Sequence, residues 1–182
     1  MKYFLLTMKK MFRFLLKPLS FVPALCMMYL IFSFSAQTGA QSSQLSLDIS
    51  TRLVRLANRI LDLNMDAAQI AHYVNAIHFY VRKLAHVTEY FMLAVSVALP
   101  LYVYRLRGFW LVIAAGFFCV AFACLDEYHQ SFVAGRGPSP RDVAIDSIGI
   151  FTGIYLTRIF GFLGRKTIFA LLSMERTRKQ RE

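Results

Sequence analysis

The sequence predicts an all-α integral membrane protein with four transmembrane helices and both termini in the cytoplasm. Three observations carry this. Of 182 residues, 57% are hydrophobic and only 17% charged, against about 25% charged in an average soluble domain. Four stretches are apolar over the roughly 20 residues a helix needs to cross a bilayer. The net charge of +11 also falls unevenly between the segments that separate those stretches. Such a composition excludes a polar disordered chain, and three Cys in 182 residues do not make a secreted disulfide scaffold. It equally disfavours a soluble nucleic-acid binder, so no nucleic-acid partner is expected; the bilayer is.

Residues 1–17 form a basic N-terminus with Lys2, Lys9, Lys10, Arg13 and Lys17. Span one follows, about residues 18–36. Read as a cleaved signal peptide, it would end at the small-x-small Ser33-Phe34-Ser35, but its apolar run is longer than a usual signal core. In the connector, Leu45, Ile49, Leu53, Leu56, Ile60 and Leu63 recur at helical spacing, with Arg52, Arg55 and Arg59 elsewhere on the wheel. This predicts amphipathic interfacial helices over about 45–82, lying on the outer membrane surface. Asp66 suits an N-cap for a second run, Ile70, Val74, Ile77, Val81 and Leu84, which feeds into span two, about 84–104. Arg105 and Arg107 separate it from span three, about 108–127, which carries Asp126 and Glu127 at its end. Span four, about 140–160, opens with Ser139 as N-cap, Pro140 at the first helical position and Asp142 completing a capping box. Gly149-x-x-x-Gly153 lets another helix approach closely. A basic tail, 161–182, ends the chain.

Sorted by this topology, the two terminal segments, the Arg105–Arg107 loop and Arg158 hold fourteen basic and two acidic residues. The other side holds seven basic and eight acidic. Net charges of +12 and −1 place both termini in the cytoplasm by the positive-inside rule, and the basic tails anchor the chain and meet anionic lipid.

Ionisable residues at the rim of a span are costly, so each is a functional candidate. Three clusters meet at the predicted outer end. At about 100° per residue, Arg82, Lys83, His86, Glu89 and Tyr90 share one face at the start of span two. Asp126, Glu127 and Gln130 share a face at the end of span three, where Lys83, Arg136, Arg141, a proton or a metal would hold the two acids. His129, beside them, is expected to point to solvent. Asp142 and Asp146 lie on the glycine face of span four, so Asp146 points into the bundle. Cys26, Cys119 and Cys124 all lie in spans as small buried hydrophobes.

Together the clusters resemble VanZ-like membrane proteins. The pattern here is Arg82-Lys83…His86…Tyr90, then Asp126-Glu127…Gln130…Phe132…Gly135-Arg136, then Asp142…Asp146…Gly149…Gly153. Ser33 to Gln37 after span one fits as well. Ala134 stands where the family usually has Pro before Gly-Arg. The resemblance covers about residues 18–160 and implies the four-span fold, a multi-pass place in the bacterial plasma membrane and an envelope role. The family is named for a member that gives low-level resistance to teicoplanin; it supplies no reaction.

Two functions follow. In the first, the outer polar site binds or protects an envelope component: an anionic lipid, a wall precursor or a glycopeptide antibiotic. Arg82, Lys83, Arg136 and Arg141 supply the cations, with Tyr90, Gln130 and Asp142 in the binding wall. In the second, the chain is an enzyme acting on a lipid-linked envelope substrate. His86 is the acid/base there, oriented by Glu89 or Asp126, with Glu127 or Asp146 as a second base. A coupled transporter is disfavoured because the polar residues cluster at one end. No cofactor or metal and no particular protein partner is indicated.

Overall fold

The computed structural model describes residues 18–178, with side chains to residue 163; the basic N-terminus and most of the basic tail's side chains lie outside the described residues. Pro18 opens a 3₁₀ turn, Pro18–Phe21, that leads into α1, Val22–Ser35, with Pro23 in the first turn where no intrahelical N–H is needed. Helix α2 spans Gly39–Ile60 and begins earlier than its apolar periodicity suggests. The reason is local: Thr38 and Gln41 form a capping box, each side chain bonded to the other's backbone N–H. Asp66 and Gln69 do the same for α3, Ala67–Val103. Between them the chain turns through Asp62 and Asn64, both at φ 48°, a left-handed conformation that Asp and Asn tolerate.

Helix α3 is one continuous helix of 37 residues, with Pro100 in its last turn, about 55 Å long at 1.5 Å per residue. The hydrocarbon core is about 30 Å thick. Even a 40° tilt, the upper end of the usual range, fits only about 40 Å of helix inside it, so part of α3 extends beyond the core. Helix α4, Gly108–Gln130, and α5, Pro140–Arg178, complete the architecture. Four apolar segments, Pro18–Ser35, Ala67–Val103, Gly108–Gln130 and Pro140–Leu163, are long enough to cross a membrane, and no strand occurs among the described residues.

Helix α3 is the hub, packing on α1, α2, α4 and α5. Its Tyr90, Leu93, Ala94, Val97 and Ala98 meet Ile31 of α1, Leu111, Ala115 and Cys119 of α4, and Ile150 and Ile154 of α5. Lipid tails are as apolar as a core, so close packing, not hydrophobicity, holds such helices together. The glycine pair does this. A Cβ at Gly149 would overlap the Val87 carbonyl, and one at Gly153 would lie 2.7 Å from the Phe91 carbonyl. The α3 and α5 backbones therefore touch, as the spacing predicts. Large apolar side chains point outward, Phe117, Trp110 and Phe160 among them. Cys26 and Cys124 are exposed too and only Cys119 is buried, which corrects the expectation that all three are core residues: helix rotation, not depth in the span, decides burial.

Helix α2 packs along α3 through its small polar face. Ser46, Ser50 and Val54 are buried, while Leu45, Ile49, Leu53, Leu56 and Ile60 are exposed. The buried hydroxyls of Ser46 and Ser50 are satisfied within the helix, by the Ser43 and Ser46 carbonyls, so a polar face can pack against a neighbour at no cost in lost hydrogen bonds.

Candidate functional site

One end of the bundle gathers polar groups from every helix. Asp126, at the end of α4, is 3% exposed. Its Oδ2 accepts hydrogen bonds from Ser35 Oγ (2.7 Å), Gln130 Nε2 (2.9 Å) and Tyr90 OH (3.3 Å). The i, i+4 spacing sets Gln130 one turn beyond Asp126. Gln130 Nε2 also reaches Ser35 Oγ at 3.2 Å, and its Oε1 accepts from Arg136 Nη1 at 3.0 Å. Arg136 Nη2 donates in turn to the Phe34 carbonyl at 3.3 Å. The result is a latch that ties α1, α3, α4 and the α4–α5 loop through one carboxylate. Burial and the nearby Arg82 lower the affinity of the Arg136 guanidinium for its proton, while Asp126, Glu127 and Glu89 oppose that.

The α4–α5 loop is fixed on both sides. Gly39 N–H donates to the Ala134 carbonyl at 3.0 Å, and a Cβ on Gly39 would overlap the Gly135 carbonyl. Gly135, at φ +73°, takes the left-handed turn before Arg136. At the start of α5, Asp142 N–H donates to Ser139 Oγ at 3.3 Å, half of the expected capping box. The other half is absent. The Ser139 N–H donates to Glu127 Oε2 at 2.8 Å, and the Asp142 carboxylate pairs with Lys83 at 2.6 Å. Two acids thus join α5 to α4 and α3.

Beside the latch, a cavity of about 220 Å³ opens between α2 and α3. Arg82, His86, Glu89 and Arg136 supply its polar wall, and Phe34, Leu45, Ile49, Val81 and Ala85 its apolar one. His86 Nδ1 lies 3.6 Å from Glu89 Oε2, across one helical turn.

The candidate residues therefore divide. Tyr90, Asp126 and Gln130 form the latch, and Arg136 belongs to both latch and cavity. Arg82, His86 and Glu89 face the cavity. Lys83, Glu127 and Asp142 hold the start of α5. Asp146 is 4% exposed, inside the bundle as its glycine face predicts. Arg141 is exposed, and among the described residues no hydrogen bond or ion pair joins it to the cluster. His129 is stacked on Phe32, ring centroids 4.1 Å apart, where solvent was expected: the neighbouring end of α1 offers an aromatic face. Ser35 is a latch member that the periodicity of span one does not mark, though the Ser-x-Ser beside Gln37 hints at it. Among the described residues no three His, Cys, Asp or Glu side chains are grouped to hold a metal ion.

Residues 20–161 match the model of the VanZ/LLP1 family. No curated protein and no solved structure matches the chain. With most of its length covered by the match, the chain belongs to the VanZ/LLP1 family.

Proposed function

We propose that this VanZ/LLP1 membrane protein binds an anionic component of the cell envelope at the cavity between α2 and α3. It sits in the bacterial plasma membrane with both termini cytoplasmic and the cavity on the outer side. The observation that carries the reading is an asymmetry of charge at that end. Asp126 and Glu127 are turned inward and already accept hydrogen bonds, whereas Arg82 and Arg136 line the cavity against the single carboxylate of Glu89. An anion would meet the Arg82 guanidinium, suited to phosphate or carboxylate, with Arg136, whose two Nη groups already donate to Gln130 and Phe34, adding positive charge beside it. A lipid phosphate or a wall precursor carries that chemistry. Shielding such a component is how the chain would contribute to teicoplanin-type resistance.

The test is native mass spectrometry of the chain purified in mild detergent. An anionic lipid or precursor should copurify, and Arg82→Gln should shed it while the protein stays folded. Equal retention by the variant would overturn the reading.

One observation favours a second reading, a membrane enzyme modifying a lipid-linked substrate. His86 and Glu89 share the cavity wall with Nδ1 3.6 Å from Oε2, longer than a hydrogen bond but of the looser kind such a pair shows before substrate binds. Asp126, engaged in the latch, leaves Glu89 as the orienting group. This reading expects products of altered mass in reconstituted vesicles, abolished by His86→Asn without loss of ligand retention. Unchanged lipid masses after prolonged incubation would sink it.

A further inference from the structure

We infer that the ligand is an anionic amphiphile whose head enters the cavity while its hydrocarbon chain lies outside it, along the apolar stripe of α2. The inference rests on the anion-binding reading above and adds the ligand class.

Size is the first argument. A cavity of about 220 Å³ is smaller than the roughly 300–1,000 Å³ of pockets that enclose a drug-sized ligand. It holds a head and the first few methylenes, not a lipid-sized molecule, so the rest of the occupant lies elsewhere.

The lining says where. The cations sit on the α3 side and in the α4–α5 loop, as Arg82 and Arg136, while Leu45 and Ile49 of α2 form the opposite lip. Both lip residues are also exposed on the outer face of the helix, Leu45 at 47% and Ile49 at 41%. From there the exposed stripe continues through Leu53, Leu56 and Ile60. Cavity and stripe are one continuous surface, charged at the inner end and apolar along its length. A water-soluble anion uses only the first part. An anionic lipid uses both.

The build of α2 fits this use. An ordinary amphipathic helix buries its apolar face in its own protein. This one packs through Ser46, Ser50 and Val54 and leaves the apolar face free, in a protein whose other exposed apolar faces meet lipid.

The experiment compares three probes on the full chain in nanodiscs or mild detergent: dioleoylphosphatidylglycerol, dihexanoylphosphatidylglycerol and free glycerol phosphate. Retention is read by native mass spectrometry and, for glycerol phosphate, by calorimetry. Each methylene removed from water strengthens binding, so the long-chain lipid should bind at least about tenfold more tightly than either short probe. Leu53→Ser, an exposed substitution on the stripe outside the cavity, should reduce long-chain retention by about tenfold and leave glycerol phosphate unchanged. Arg82→Gln should weaken all three. Glycerol phosphate bound as tightly as the long-chain lipid, or a Leu53→Ser variant with unaltered lipid retention, would overturn the amphiphile inference and leave anion binding intact. Retention of the long-chain lipid that is indifferent to Arg82→Gln would instead overturn the anion-binding reading itself.

Discussion

The latch and the cavity lie side by side and share Arg136, yet they use polar residues in opposite ways. In the latch, Asp126 serves three donors with one oxygen, and every group named there points at another part of the same chain. Polar atoms so placed fix helices relative to one another, because leaving them unpaired in a dry interior is expensive. In the cavity wall, Arg82, His86 and Glu89 line a space that a ligand can enter. The same residue types at one end of one bundle thus divide into groups that hold the fold and groups that a ligand can reach. Sequence proximity does not sort them: Glu89 and Tyr90 are neighbours and belong to different groups.

Substitutions can break or sharpen that contrast. The largest effect is expected from Asp126→Ala, which leaves the hydroxyls of Ser35 and Tyr90 without their acceptor and takes one of the bonds of Gln130 Nε2. A loss of about 3–5 kcal/mol should follow, read as a fall in the thermal unfolding midpoint in detergent; a wild-type midpoint would mean the latch does not hold the bundle. Gln130→Ala keeps the carboxylate but cuts Arg136 from it, for a smaller loss of about 1–3 kcal/mol. Arg82→Gln, on the cavity side, should shift the midpoint by less than about 0.5 kcal/mol while weakening anionic ligand retention. If it destabilises as much as Gln130→Ala, the division between the two regions fails. Lys83→Met removes a half-exposed ion pair with Asp142, for about 1 kcal/mol or less, and that small difference should shrink further in high salt.

Much of the fold was legible because it is local. Apolar length marks the spans, Asp66 and Ser139 mark helix starts, and the Gly149–Gly153 spacing marks the α3–α5 seam. The face of α2 was half legible. Its periodicity gives the apolar stripe, but in a membrane protein an apolar stripe has two possible partners, core and lipid, and composition does not choose between them. The buried face turned out to be the serine one. The site was legible as a set of residues and not as a set of partners. Ser35 reaches Asp126 across 91 positions, and Glu127 is satisfied by a backbone N–H in the next loop, which carries no side-chain signature. Arg141 looked like its neighbours in sequence and lies outside the cluster, because the first turn of α5 rotates it outward.

The unbroken run of α3 has a practical side. A 20.9 kDa protein embedded in lipid offers little for an imaging experiment to align on. Here the rod that crosses the bundle's centre also carries the turn at Asp62–Asn64 at its far end, braced by α2. An antibody fragment raised against that turn would be fixed to the bundle by a single continuous helix, serving as a fiducial in a micrograph. On intact cells the same reagent would report, by labelling or failing to label, which side of the membrane that end occupies.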